Sequence, residues 1–300
     1  MLGPGGVGGL VAGALDRAGA DVSIVAQEST VAIIAEHGVR VKSVLLGDFV
    51  AHPRALARLE EPVDALIVAT KAAGLVPALE RILVDPPLVL PLLNGLDHLA
   101  VLRDRFPGAV LAGTIRVEAD RPEAGVIVQT SPFLRIDMAT ADAALQPAVT
   151  RLCELLVAAG VPARMCTSEA QVMWSKLVRL NALACTTSAH DKLLGEIRST
   201  PELRAELVGA IEEGSAVARA EGAEEIEAGT AIGELEQAHA TLGSSMQRDI
   251  AAGRAPELDA IPGSVLRAGA RHGIACPTIE GLVRKIAVRI DVEPPIPHVD

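Results

Sequence analysis

Tyrosine is absent from the 300 residues, and the other aromatics are limited to Trp174, Phe49, Phe106 and Phe133. That disfavours functions built on aromatic platforms, such as stacking of single-stranded bases or of sugars. Basic residues are outnumbered, 27 against 38 acids, for a net charge of −11. With no basic run to offset it, this charge repels polyanions, so neither nucleic acid nor an anionic membrane is expected as a partner. The cysteines Cys153, Cys166, Cys185 and Cys276 lie far apart, no two at CxxC spacing. No metal site or thiol-redox motif is signalled, and the four read as free thiols in a reducing compartment. No run of eighteen apolar residues occurs, so no membrane span is expected. The first fifteen residues are uncharged but lack a basic segment, and five of the first nine are glycine, unlike a signal peptide. The expectation is a cytoplasmic protein.

What is present is a large apolar inventory, 50% of the chain, enough for two cores. In the first half, short β-branched runs alternate with helical patterns. Residues 21–26 and 65–69 read as strands, and 88–93 as a strand ended by Pro91. Continuous apolar strands between helices indicate a parallel sheet covered on both faces. Ser29 and Thr30 are candidate caps of a helix ending at Gly38. Residues 125–129 and 133–136 read as a hairpin turning at Ser131-Pro132. Beyond a helix over 143–159 and a short strand over 161–165, only helical periodicity remains: one long helix over 168–190, then helices through 258–272 and 278–290. Residues 200–240 carry ten acids and two bases, the composition of a solvated helical surface. The expected architecture is an α/β domain with a Rossmann-type doubly wound sheet, residues 1–165, followed by an all-α domain, residues 166–300.

The chemistry-bearing residues begin at Gly3-Pro4-Gly5-Gly6-Val7-Gly8, a GxGxxG that opens an amphipathic helix and is followed by a strand. In this context the glycines permit a tight turn, backbone approach to a pyrophosphate and close packing of helix on strand. Only Met1-Leu2 precede Gly3, which is short for a central strand. The expectation is that upstream codons encode further apolar residues. Past the second strand, where the ribose is usually read, stand Gln27 and Glu28; a neutral Gln27 gives no charge for a 2′-phosphate. Lys71 and Asn94-Gly95 each follow an apolar strand, where the carboxyl ends of parallel strands meet ligands. Farther on come Trp174-Ser175-Lys176-Leu177 within an apolar helix, and Ser244 to Ile250 followed by Glu257.

Taken in order and spacing, these motifs resemble the ketopantoate reductase (2-dehydropantoate 2-reductase) family over about residues 1 to 290. The resemblance implies an NADP(H)-dependent reduction of a 2-keto acid in pantothenate biosynthesis, NAD(H) remaining open, in a cleft between the two domains. It assigns Lys176 as general acid, and Ser245 and Glu257 to substrate. Cofactor contacts fall to Gly3, Gly5, Gly6, Val7, Gly8, Gln27, Lys71, Asn94, Glu118 and, again, Glu257. The expected assembly is a monomer or homodimer. The family's substrate-binding asparagines are replaced here by Leu180, Ala184 and Leu194. Lys176, Leu180 and Ala184 share one helix face, whereas Asn181 points roughly 140° away unless a π-bulge intervenes. Two alternatives follow: the same chemistry on a more apolar 2-keto acid or ketone, or a nucleotide-binding sensor without turnover.

Overall fold

The computed structural model describes residues 1–297. The chain divides into two compact units, one formed by Met1–Leu93 with His98–Val172, the other by Asn94–Asp97 with the residues from Met173 onward.

The first unit contains α1 (Gly6–Arg17), β1 (Ser23–Val25), α2 (Glu28–His37), β2 (Val39–Ser43), β3 (Phe49–Ala51), β4 (Arg54–Leu56), β5 (Leu66–Val68), α3 (Leu75–Leu79), β6 (Val89–Pro91), α4 (His98–Arg105), β7 (Ala112–Arg116), β8 (Ala119–Glu123), β9 (Val126–Gln129), β10 (Arg135–Ala139), α5 (Gln146–Ala158), β11 (Ala163–Met165) and the first turn of α6 (Glu169–His190). Parallel pairing runs β4 to β1 and β5 to β6. Leu2 closes the gap between them with parallel bridges to Val25 and Val68. Its N–H donates to Ile67 O at 2.8 Å, and Ala69 N–H donates to Leu2 O at 2.9 Å. A single residue thus stands in the central strand position, its side chain 1% exposed.

Side-chain alternation explains why these strands read as unbroken apolar runs. Ile24, Ile67 and Leu90 join one core with α1, while Val25, Leu66, Val68 and Val89 join a second core with Leu75, Leu79 and Leu102. Both faces are covered, so the buried positions on either face are apolar. Each such buried side chain contributes about 1.5–3 kcal/mol, which lets three-residue strands persist.

The expected hairpin at Ser131-Pro132 does not form. Instead β9 runs parallel to β2 and antiparallel to β8, while β10 pairs with β7 and β11 in a different sheet. Local hydrogen bonds carry the chain across. Gln129 Nε2 donates to Ser131 Oγ at 3.0 Å, and Ser131 Oγ donates to Phe133 O at 2.7 Å. The Ser131-Pro132 segment, expected as a hairpin turn, instead moves the chain between sheets. Likewise α2 starts after Gln27, with Ser29 and Thr30 inside its first turn, and it ends at Gly38 as expected.

The second unit is helical: the rest of α6, then α7 (Leu194–Ser199), α8 (Pro201–Ala220), α9 (Ala228–Gln237), α10 (Ser245–Ala251), a π-helical turn over Asp259–Gly263, α11 (Ser264–Arg271) and α12 (Pro277–Ile290). The apolar side of α6 supplies much of its core, with Trp174, Leu177 and Val178 buried. The helix is continuous α through His190, so no bulge rotates Asn181 toward Lys176. Asn181 is fully buried, its Oδ1 accepting from Cys185 Sγ at 3.5 Å. No helix among the described residues is long and apolar enough to cross a membrane.

Candidate active site

In the first unit the register aligns three chain exits on one edge of the parallel sheet. Leu2 bridges Val25 and Val68, so Gly3, Ala26 and Ala69 all leave from the same end. Gly3 N–H donates to Val25 O at 3.2 Å, fixing the start of the glycine turn. Gly3 has φ +91°, a left-handed conformation that L side chains rarely adopt, and a Cβ there would sit 2.8 Å from Thr70 Cγ2. A Cβ on Gly8 would collide with Gly3 O, and one on Gly6 with Ala119 O, so only glycine lets α1 approach its own turn and the neighbouring backbone. Gly5 differs: its nearest neighbour would be Ala69 O at 4.0 Å. The open side of the turn therefore lies at Gly5, where the first N–H groups of α1 point, while the other glycines serve packing. Thr70 Oγ1, beside Gly3, is buried without a hydrogen-bond partner. An open glycine turn, a helix N-terminus and an orphaned hydroxyl together suit a pyrophosphate.

Around this edge stand the other residues named from sequence. Lys71 is exposed and precedes a 3₁₀ turn over Ala72–Gly74. Gln27 is the exposed N-cap of α2. Glu118 has its N–H on Ser131 Oγ at 3.0 Å and its C=O accepting from Thr130 N–H at 3.0 Å. Sequence reasoning did not find Arg81, which pairs with Glu28 across 53 residues, Nη1 to Oε1 at 3.1 Å. The bond to Arg81 holds the Glu28 carboxyl below its ordinary value.

The second unit brings three of the named residues together. Lys176 Nζ donates to Asn94 Oδ1 at 2.7 Å, and Asn94 Nδ2 donates to Glu257 Oε2 at 2.9 Å. Both bonds are satisfied in one amide orientation only, because an ammonium needs the oxygen and a carboxylate needs the NH₂. The backbone beneath them explains the Asn-Gly pair. Gly95 has φ +85°, and a Cβ would collide with Ala260 O in the π-helical turn that follows Glu257. Arg267 ties the same loop down, reaching Asp97 at 2.5 Å and Asp259 at 2.6 Å. A π-turn beside this hydrogen-bonded Lys–Asn–Glu series fits the tendency of such turns to occur at functional sites.

The two serines at α10 divide their work. Ser244 is buried as the N-cap, accepting from Gln247 N–H at 3.0 Å and bonding Thr187 Oγ1 at 2.9 Å. Ser245, the first helical residue, is exposed. Leu180 is half-buried on the Lys176 face, and Ala184 and Leu194 are fully buried. Burial pushes the Cys276 thiol up to about 12 and raises that of Cys185 as well, which makes both poor nucleophiles.

Comparison with known proteins agrees with this layout. A family model described as "Ketopantoate reductase PanE/ApbA" matches residues 1–142, and its companion "Ketopantoate reductase PanE/ApbA C terminal" matches residues 170–289. A 2-dehydropantoate 2-reductase of Halobacterium salinarum is 28% identical, covering 94% of this chain and 95% of that one. The crystal structure of 2-dehydropantoate 2-reductase from Geobacter metallireducens superposes with a TM-score of 0.87 at 25% identity, covering 96% and 98% of the two chains. The ternary structure of D-mandelate dehydrogenase with NADH and anilino(oxo)acetate gives a TM-score of 0.87 at 21% identity, covering 97% of each chain. With a Rossmann-type unit, a helical unit and both family models matched, the chain belongs to the ketopantoate reductase family of oxidoreductases.

Proposed function

We propose that this chain is an NADPH-dependent reductase that converts 2-dehydropantoate to pantoate, with Lys176 as the proton donor. The observation that carries the reading is the hydrogen-bonded series Lys176, Asn94 and Glu257, at 2.7 and 2.9 Å. The cofactor, when bound, supplies a hydride to the keto carbon. The ammonium of Lys176, fixed by Asn94, stabilises charge growing on the ketone oxygen and passes its proton to that oxygen, giving the hydroxyl. Glu257 accepts from the Asn94 amide, which turns the amide oxygen toward the Lys176 ammonium. Ser245 is exposed at the start of α10, and we assign it to the substrate. On the cofactor side we assign Gly5 and the α1 N-terminus to the pyrophosphate, with Lys71, Gln27, Asn94 and Glu118 as further contacts. The protein works on a small molecule in the cytoplasm.

A second reading concerns the substrate. The Lys176 face of α6 continues through Leu180 and Ala184, neither of which can bond a hydroxyl, and Leu194 is likewise apolar. Losing each amide that recognises a substrate hydroxyl costs about 1–3 kcal/mol. This favours a 2-keto acid whose side chain is apolar. A spectrophotometric screen of NADPH and NADH against a panel of 2-keto acids tests both readings. Turnover of 2-dehydropantoate above the others supports the first, and turnover of branched or aromatic 2-keto acids supports the second. Cofactor binding with no oxidation by any of them would leave a nucleotide-binding protein without turnover.

A further inference from the structure

Arg81 is fixed by backbone and only loosely occupied by its carboxylate. Its Nη1 donates to Ala57 O at 3.0 Å and to Ala26 O at 3.4 Å, which places the guanidinium at the residue just past β1. Its bonds to Glu28 are 3.1 Å from Nη1 and 3.4 Å from Nη2. Two arginine pairs of this unit are shorter, Arg105 to Asp85 at 2.8 Å and Arg103 to Glu169 at 2.6 Å, while Arg40 to Glu123 is longer at 3.7 Å. The arginine side chain is 25% exposed and the Glu28 side chain 74%. An exposed, stretched carboxylate pair of this kind is weak. The bond from Arg81 is the main cause holding the Glu28 carboxyl below its ordinary value, and the charge of Arg58 adds a weaker pull in the same direction.

Doubly wound folds place the adenosine ribose at the carboxyl end of the strand that follows the glycine-rich helix, here β1. Gly3 N–H bonds Val25 O, so the glycine turn and the Arg81 anchor at Ala26 O are one residue apart along that strand. We propose that Arg81 is the residue that receives the 2′-phosphate of NADPH in this chain, the phosphate taking the place of the Glu28 carboxylate on the guanidinium. A phosphate offers more charge and more acceptor oxygens than the carboxylate it displaces, and a planar guanidinium can bond two of them at once. The charge that Gln27 lacks thus comes from a residue far along the chain. The proposal rests on reading the first unit as the nicotinamide-dinucleotide domain.

Dissociation constants for NADPH, NADH, 2′,5′-ADP and 5′-AMP, measured calorimetrically on the full chain, test it. Arg81→Gln is expected to raise the constants for NADPH and 2′,5′-ADP by about tenfold or more, and those for NADH and 5′-AMP by less than about twofold. Glu28→Gln removes the competing carboxylate from an exposed position and is expected to tighten NADPH several-fold without changing NADH. That variant decides the matter should Arg81→Gln fail to fold. An Arg81→Gln protein that binds NADPH as wild type does would overturn the proposal, as would a Glu28→Gln protein that loses NADH affinity selectively, since Glu28 would then be a ribose ligand. Either result leaves the dinucleotide reading standing. A wild-type protein that binds neither dinucleotide removes that reading and the Arg81 assignment together.

Discussion

Replacing Asn94 with alanine removes the one neutral group between two charges. Two hydrogen bonds are lost, the 2.7 Å bond from Lys176 and the 2.9 Å bond to Glu257. Hydrogen bonds to charged groups contribute about 1.5–3 kcal/mol each when buried. Both bonds here are part-buried, so the lower end applies and water recovers some of the loss, leaving about 1–3 kcal/mol for the pair. For a chain of this size that corresponds to a fall in Tm of roughly 2–10 °C. The kinetic effect should be larger than the stability effect. Lys176 keeps its charge but loses the acceptor that fixes it, so part of a general acid's contribution of about 10²–10⁴ disappears. A loss in kcat of about 10–100-fold is expected, with KM for the keto acid changed less. Thermal melts followed by steady-state assays read both quantities. An Asn94→Ala protein with lowered Tm and unchanged kcat would show that Asn94 holds the loop only, and the positioning argument would fail.

Three further outcomes are expected. Gln27→Arg adds a cation at the ribose edge and should lower the NADPH dissociation constant several-fold, by direct titration; an unchanged constant contradicts the placement of Gln27. Gly6→Ala drives a Cβ into Ala119 O, which is backbone and cannot swing aside, so it should cost stability and dinucleotide affinity together. Equal affinity and Tm in that variant would mean that α1 can shift freely. At Glu206, burial works to raise the carboxyl, but hydrogen bonds from Lys285 at 2.6 Å and His190 at 2.5 Å outweigh it, so its value lies below the ordinary 4.5. A depressed native carboxyl contributes stability above its ordinary value and loses it as pH falls through the native value. Wild-type Tm should therefore drop more steeply than that of Glu206→Gln as pH is lowered below about 4.5, and parallel curves would remove Glu206 from the acid response.

The parallel sheet was legible because strands covered on both faces must be apolar at every position, as at 65–69 and 88–93. The sheet change after Gln129 was not, because a Ser-Pro break looks the same whether the chain returns to its partner or leaves for another sheet. Lys176, Asn94 and Glu257 could each be singled out locally, as a lysine in an apolar helix, an Asn-Gly after a strand and an acid beyond a Ser-Ser turn. Their mutual bonds span 82 and 163 residues, and no local pattern carries them. Ser244 and Ser245 were indistinguishable in sequence until helix geometry made one a buried cap and the other an exposed neighbour. Arg81 lies in a segment with no motif at all, and only the fold sets it beside Glu28.

The central claim is that Lys176 donates the proton, and the kinetics of Lys176→Ala test it most directly. With NADPH and the best keto acid from the substrate screen, kcat and kcat/KM should fall together by about 10²–10⁴-fold. The NADPH dissociation constant should stay close to that of wild type, and Lys176→Arg, which keeps the charge but donates its proton poorly, should remain impaired. A Lys176→Ala enzyme that melts at a lower temperature yet turns over at the wild-type rate would show that Lys176 is a packing residue whose ammonium merely reaches Asn94, and would contradict the mechanism.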